Sequence, residues 1–254
     1  MGTDRNNLRG KVVLITGGSR GLGAEMAWAF AEEGADIVVA SRKEQPCIDL
    51  AAEIAARTGV ETMGIGAHVG DWDAMPALVD AVYERFGHLD VLVNNAGIAP
   101  LYPSLGEISQ ELFDKIIAVN LKGPFRLGAL VAERMKSAGH GTIVNISSNA
   151  SERPAPEYVP YGAAKAGLNS LTKGLAATYG PEVRVNTIMA GAFFTDISKG
   201  WDADAFDELA SSWPIPRGGK PSEIVGAALY FAGDASSFTT GTILPVDGGR
   251  MAVG

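Results

Sequence analysis

The sequence contains one cysteine, Cys47, in 254 residues. A lone thiol closes no internal disulfide, and no cluster of Cys and His stands at zinc-ligand spacing, so no metal site is expected. Cysteine usage of this kind points to a reducing, cytoplasmic compartment. A chain of this length buries about three quarters of the surface that its unfolded form exposes, so its core can hold it without staples. Runs of basic residues are also missing. The 21 Lys and Arg against 29 Asp and Glu leave a net charge of −8, which argues against nucleic acid or anionic membrane as a main partner. No stretch approaches the ~18 consecutive apolar residues of a bilayer span, and Met1–Lys11 is polar, without the apolar core of a secretion signal. Repeats, low-complexity tracts and linkers are absent as well, and a single unit over residues 1–254 is the expectation.

What is present is alternation. Short runs rich in Val and Ile predict strands at Lys11–Thr16, Asp36–Ala40, Thr62–Val69, Leu89–Asn94, Gly141–Ser147, Val183–Met189 and Thr242–Val246. Amphipathic segments between them predict helices at Gly21–Glu33, Ile48–Thr58, Trp72–Phe86, Gln110–Ala138, Tyr161–Tyr179 and Ser222–Ala232. Strand and helix in this order imply an α/β, Rossmann-type doubly wound sheet of parallel strands with helices on both faces. One interruption, Ala190–Lys220, places Phe193, Phe194, Trp201, Phe206 and Trp213 among Gly, Pro and Asp. It is too long for a routine connection. Because it follows the carboxyl end of a strand, where ligands of open sheets bind, it reads as a substrate lid; a packed surface excursion is the alternative.

The first strand runs into Thr16-Gly17-Gly18-Ser19-Arg20-Gly21-Leu22-Gly23 and then a helix. Glycines allow a tight turn and a close approach, and free amides at the helix start attract a pyrophosphate, which marks a dinucleotide site. An acidic residue would then hold the ribose 2′-hydroxyl of NAD from the end of the second strand. That strand ends Ala40-Ser41-Arg42, and Asp36 begins it, at the wrong edge. Arg20 and Arg42 converge there instead, and guanidinium forks match the oxygens of a 2′-phosphate. NADP(H) is therefore the better fit and NAD(H) the alternative.

Tyr161 and Lys165 lie four residues apart at a helix start, on one face. Ser148 closes the strand before them, and Asn120 is an amide within a predicted helix, where burial would demand partners or a task. Together these elements resemble the short-chain dehydrogenase/reductase family over Gly10 to Gly249: the glycine turn, Asn94-Asn95-Ala96-Gly97, Asn120, Ser148, Tyr161/Lys165 and the terminal T-G-x-x-L-x-V-D-G-G from Thr240. The resemblance implies a sheet of seven parallel strands and an oxidoreductase that reduces a ketone or oxidises a secondary alcohol. In that scheme Tyr161 is the general acid or base, Ser148 orients the substrate oxygen, Lys165 binds the nicotinamide ribose and Asn120 holds a proton-relaying water. A tyrosine of pKa ~10 working at neutral pH asks for about 4 kcal/mol, which an ammonium at ~4 Å supplies only where the local dielectric is near 20.

The resemblance also implies cofactor contacts at Gly17, Ser19, Arg20, Gly21, Leu22 and Gly23 in the turn, and at Ser41 and Arg42. Further contacts would come from Asn94, Ala96 and Gly97, and from Gly191, Phe193 and Thr195. His68-Val69 stands where the family has Asp-Val; a neutral His68 can accept from the adenine amine through one ring nitrogen, stack, or face solvent. Met189-Ala190-Gly191 replaces the usual Pro-Gly. A homotetramer or dimer with small-molecule substrates is the family expectation, and a binding protein that senses NADPH without turnover is the rival from another class. Cys47, His88 and His140 are expected to be structural.

Overall fold

The computed structural model describes residues 6–195 and 203–253. Residues 196–202 of the expected lid, Trp201 among them, lie outside the described residues. Seven strands, β1 (Val12–Thr16), β2 (Asp36–Ser41), β3 (Thr62–Gly66), β4 (Val91–Asn94), β5 (Gly141–Ser148), β6 (Val183–Ala190) and β7 (Ile243–Val246), form one sheet in the order β3-β2-β1-β4-β5-β6-β7. Every pairing is parallel. The helices are α1 (Gly21–Glu32), α2 (Glu44–Thr58), α3 (Met75–Phe86), α4 (Gln110–Ile117), α5 (Gly123–Ala138), α6 (Val159–Tyr179), α7 (Ala203–Ala210) and α8 (Val225–Ala232). Strand order reverses between β1 and β4, and this switch point opens a ligand crevice at the carboxyl ends of the strands.

All five residues of β1 are buried, because successive side chains point to opposite faces and both faces are covered. Val13 and Ile15 join Phe30 of α1 and Phe231 of α8 in one apolar layer. Val12 and Leu14 join Val79 of α3 with Leu127 and Val131 of α5 in the other. Burying each such side chain contributes about 1.5–3 kcal/mol.

The departures from the sequence reading have local causes. β3 stops at Gly66 rather than Val69, since the chain turns back with Asp71 N–H on the His68 carbonyl at 2.8 Å. α2 begins at Glu44, four residues early, and accommodates Pro46 in its first turn, where an N–H would have no helical partner anyway. The predicted helix Gln110–Ala138 contains a π turn at Ala118–Lys122, between α4 and α5. Pro124 explains it: its ring would press on the Asn120 carbonyl in a regular α-helix, and it has no N–H to give that oxygen. α7 was not legible as a helix, and no helix among the described residues is long and apolar enough to cross a membrane.

Candidate active site

The glycine turn is locked to the next loop by short polar contacts. Thr16 Oγ1 accepts from the Asn95 and Ala96 amides at 3.1 and 3.2 Å, and Asn95 Nδ2 donates to the Thr16 and Gly17 carbonyls at 3.0 and 3.1 Å. Gly17 has φ +64°, and a Cβ there would lie 2.9 Å from the Ala96 Cα; at Gly23 it would lie 2.4 Å from the Gly17 oxygen. Helix α1 starts with neither a side-chain cap nor a first-turn acid. Its free amides, fronted by bare glycine backbone, fit the pyrophosphate of a dinucleotide. Thr195 reaches the same place from β6, its Cβ 3.6 Å from where a Gly21 Cβ would stand.

At the end of β2, Ser41 Oγ meets Ser19 Oγ at 3.0 Å and Cys47 Sγ at 2.9 Å, so the glycine turn and this strand end are joined. Arg20 and Arg42 flank that contact and are both exposed. Asp36 is spent elsewhere, its Oδ1 accepting from the Glu61 amide at the opposite end of the strand. His68 is exposed, and its Nδ1 accepts from the Gly70 amide at 3.1 Å. That contact assigns the proton of a neutral ring to Nε2. Of the three alternatives for His68, accepting from an adenine amine competes with this contact, whereas stacking and facing solvent do not. Val69 is buried, its carbonyl 2.3 Å from the position of a Gly123 Cβ.

The candidate chemical groups meet beside this crevice. Ser148 ends β5; its Oγ accepts from Ala150 N–H at 3.3 Å, and its hydroxyl acts on the titration of Tyr161. One turn along α6 from Tyr161, Lys165 is only 3 % exposed and donates from Nζ to the Ile146 carbonyl at 2.7 Å. Its ammonium stands 5.8 Å from the Tyr161 ring centroid. Burial lowers Lys165 to about 8. Burial also raises Tyr161 above its ordinary value, opposed by the Ser148 hydroxyl and reinforced by Tyr158. Desolvation is the largest of these effects, so in the chain alone the phenol holds its proton through neutral pH.

Asn120 is fully buried, and its amide has little left to give. Nδ2 donates to the Ile98 and Ile116 carbonyls, both at 2.9 Å, and Oδ1 accepts from the Ile98 amide at 3.2 Å. The expected water relay therefore has both side-chain donors already committed. A Cβ on Gly97 would lie 3.0 Å from Asn120 Oδ1 and 3.6 Å from Lys165 Nζ, which shows how closely the three residues converge.

Other expected cofactor contacts have structural duties. The Asn94 side chain is buried and donates to Asn145 Oδ1 at 2.9 Å. Leu22 packs on the apolar layer below α1. Gly191 makes room for Asp247, whose Cα would be 2.6 Å from an added Cβ, and Phe193 is buried, bridging to Gly219. Sequence reasoning missed Asn95 as the clamp on the glycine turn, although its place beside Asn94 in the motif was a signal. It also missed Asp90, which accepts from the Val12 amide at 2.8 Å and meets His140 Nε2 at 3.0 Å and His88 Nε2 at 3.3 Å. Each histidine follows a left-handed glycine, Gly87 or Gly139, at a helix end, which turns it toward Asp90.

Known proteins share this architecture. A family model described as enoyl-(acyl carrier protein) reductase matches residues 17–250. The chain is 38% identical over 244 residues to D-threitol dehydrogenase of Mycolicibacterium smegmatis, covering 95% of this chain and 93% of that protein. Its fold superposes with TM-score 0.94 on a gluconate 5-dehydrogenase of Burkholderia cenocepacia J2315 in complex with NADP and tartrate, at 35% identity and 99% coverage of both chains. It superposes with TM-score 0.89 on an NAD+-bound xylitol dehydrogenase, at 29% identity, covering 96% of this chain and 100% of that one. A dinucleotide crevice at the strand switch point, a buried lysine under a tyrosine and identity of this extent place the chain in the short-chain dehydrogenase/reductase family, as an enzyme acting on alcohols or ketones.

Proposed function

We propose that the chain is an NADP(H)-dependent oxidoreductase that reduces a ketone, or oxidises a secondary alcohol, with Tyr161 as general acid and base. The observation that carries this reading is the convergence of Tyr161 and buried Lys165, its Nζ 5.8 Å from the Tyr161 ring centroid, with Ser148 at the end of β5 and Gly97 in the loop clamped to the glycine turn. When bound, the nicotinamide exchanges hydride with the substrate carbon. Tyr161 gives its proton to the substrate oxygen, and burial keeps that proton in place at neutral pH. Ser148 orients the same oxygen and donates to it as charge develops. Lys165 spends one donor on Ile146 and has two left for a ribose hydroxyl and for the phenolate that Tyr161 becomes. Its dry surroundings strengthen that attraction to about 4 kcal/mol at ~4 Å, against ~1 kcal/mol in bulk water.

Arg20 and Arg42, with no carboxylate at the end of β2, favour the 2′-phosphate of NADP(H); the NAD+-bound relative is the reason to test both cofactors. The segment 190–220 is the proposed lid, supported by the edge-on contacts of Phe206 with Phe194 and Trp213, centroids 5.3 and 5.7 Å apart. Substrates in the names of the relatives are hydroxylated carbon chains, so polyols, sugar acids and simple ketones form the test panel. Oxidation of NADPH and NADH is followed with the panel for the wild type and Tyr161→Phe. The expected result is turnover preferring NADPH, abolished in Tyr161→Phe with cofactor binding retained. Retained turnover in the variant refutes Tyr161 as the acid; binding without any turnover in the wild type favours a sensor of NADPH.

A further inference from the structure

Helix α6 carries Tyr161 in its first turn, yet Tyr158, the residue before the helix, makes no capping bond. First-turn amides have no helical acceptor, and helix ends left so fray. Pro160 removes one such donor, and Val159 N–H is another. That amide is taken by the hydroxyl of Tyr102, 57 residues away in the loop after β4, at 3.1 Å. The same hydroxyl donates to the Pro156 carbonyl at 2.6 Å. One oxygen, accepting once and donating once, therefore caps the catalytic helix and fastens the segment leading into it.

The placement gives this contact a role in the chemistry. The segment 149–158 joins Ser148 to α6, so its shape sets the relation of the Ser148 and Tyr161 hydroxyls. Its near end is fixed on α6 by close packing, since a Cβ on Gly162 would lie 2.4 Å from the Ala150 oxygen. Its far end is fixed by Tyr102. The loop holding Tyr102 begins at Asn95 and Ala96, the residues clamped to the glycine turn, so that turn and the acid share one frame. We propose that Tyr102 is a positioning residue, acting through the first turn of α6 to hold the Tyr161 hydroxyl on the reacting oxygen; this rests on the reading of Tyr161 as the acid.

Tyr102→Phe keeps the ring and deletes the hydroxyl. Three measurements test it: amide hydrogen exchange along α6, dissociation constants of the reduced cofactors, and kcat with a primary isotope effect from deuterated cofactor, each well below the variant's Tm. Misplacement of a reacting group by about 1 Å costs up to ~100-fold, so the expected results are faster exchange in the first turn of α6, kcat lower by about 10-fold or more, and a larger isotope effect. Cofactor affinity stays within about 2-fold, because the glycine turn is untouched. A kcat within about 2-fold of wild type while Tyr161→Phe is inactive overturns the proposal, as does a parallel fall in kcat, affinity and Tm, which marks a merely structural tyrosine. Unchanged exchange in the first turn overturns it regardless of turnover. Full activity of Tyr161→Phe strikes instead at the acid assignment, so the two failures are told apart.

Discussion

Lys165→Met should stabilise the protein at neutral pH while removing its catalysis. Lys165 titrates at about 8 in the folded chain against 10.5 in its ordinary state, because burial disfavours the ammonium. Between pH 8 and 10.5 the unfolded chain binds a proton that the folded chain has released, so this group makes stability rise with pH across that window. Below pH 8 its cost is complete: a gap of 10.5 − 8 = 2.5 pH units is roughly 3 kcal/mol at 1.36 kcal/mol per unit. Methionine fills the site without the charge but loses the Nζ bond to Ile146, about 1 kcal/mol. The net is a gain near 2 kcal/mol at pH 7 and a loss near 1 kcal/mol at pH 10.5, or a Tm roughly 4–8 °C higher at pH 7. Thermal and urea unfolding of both proteins from pH 6.5 to 10.5 reads this directly. A stability difference that does not change with pH, or a variant less stable at pH 7, would refute the claim that a desolvated ammonium is held there at a cost.

Arg42→Asp should move the ratio of kcat/KM for NADP over NAD toward NAD by about 10- to 100-fold, the worth of one or two charge-assisted hydrogen bonds; an unchanged ratio removes Arg42 from the cofactor assignment. Asp90→Ala leaves the buried Val12 amide without its acceptor, which costs about 1–3 kcal/mol and lowers Tm by roughly 2–12 °C. Turnover at low temperature should survive in that variant, because Asp90 lies at the amino-terminal edge of the sheet; its loss would mean that this edge supports the site.

The sheet was legible because β1 and its parallel neighbours are buried on both faces, and a buried parallel strand writes itself as an unbroken run such as Val12-Val13-Leu14-Ile15. Boundaries were less legible where the terminating signal is a contact rather than a residue type. Ala67 and Val69 continue the apolar run of β3, and only the turn closed by Asp71 N–H shows that the strand has ended. The π turn at Ala118–Lys122 could have been read from Pro124, since a proline within a long helical pattern demands an adjustment one turn earlier. α7 was hidden among the Gly, Pro and Asp residues of its segment, which weakened any periodic signal.

The candidate site divides in the same way. Groups borne on one element at fixed spacing, Tyr161 with Lys165 or the glycines of the turn, could be named from the sequence. Groups that act by meeting across the sheet could not. Asn94 Nδ2 donates to Asn145 Oδ1 at 2.9 Å, Asn145 Nδ2 to Thr172 Oγ1 at 2.9 Å, and Thr172 Oγ1 meets Thr187 Oγ1 at 2.7 Å. All four residues are buried, and each unpaired polar group there would cost about 1–3 kcal/mol, so the row is stable only when every partner is in place. Asn145 precedes Ser148 on β5 by three residues, and Thr172 follows Lys165 on α6 by seven. The row thus binds β4, β5, α6 and β6 behind the chemical groups, and a slip of α6 along the sheet would break several bonds at once. Asn94 starts this row: its amide ties β5 to the strand whose next residue, Asn95, clamps the glycine turn, so the turn and the elements carrying Ser148, Tyr161 and Lys165 are linked by one continuous set of hydrogen bonds.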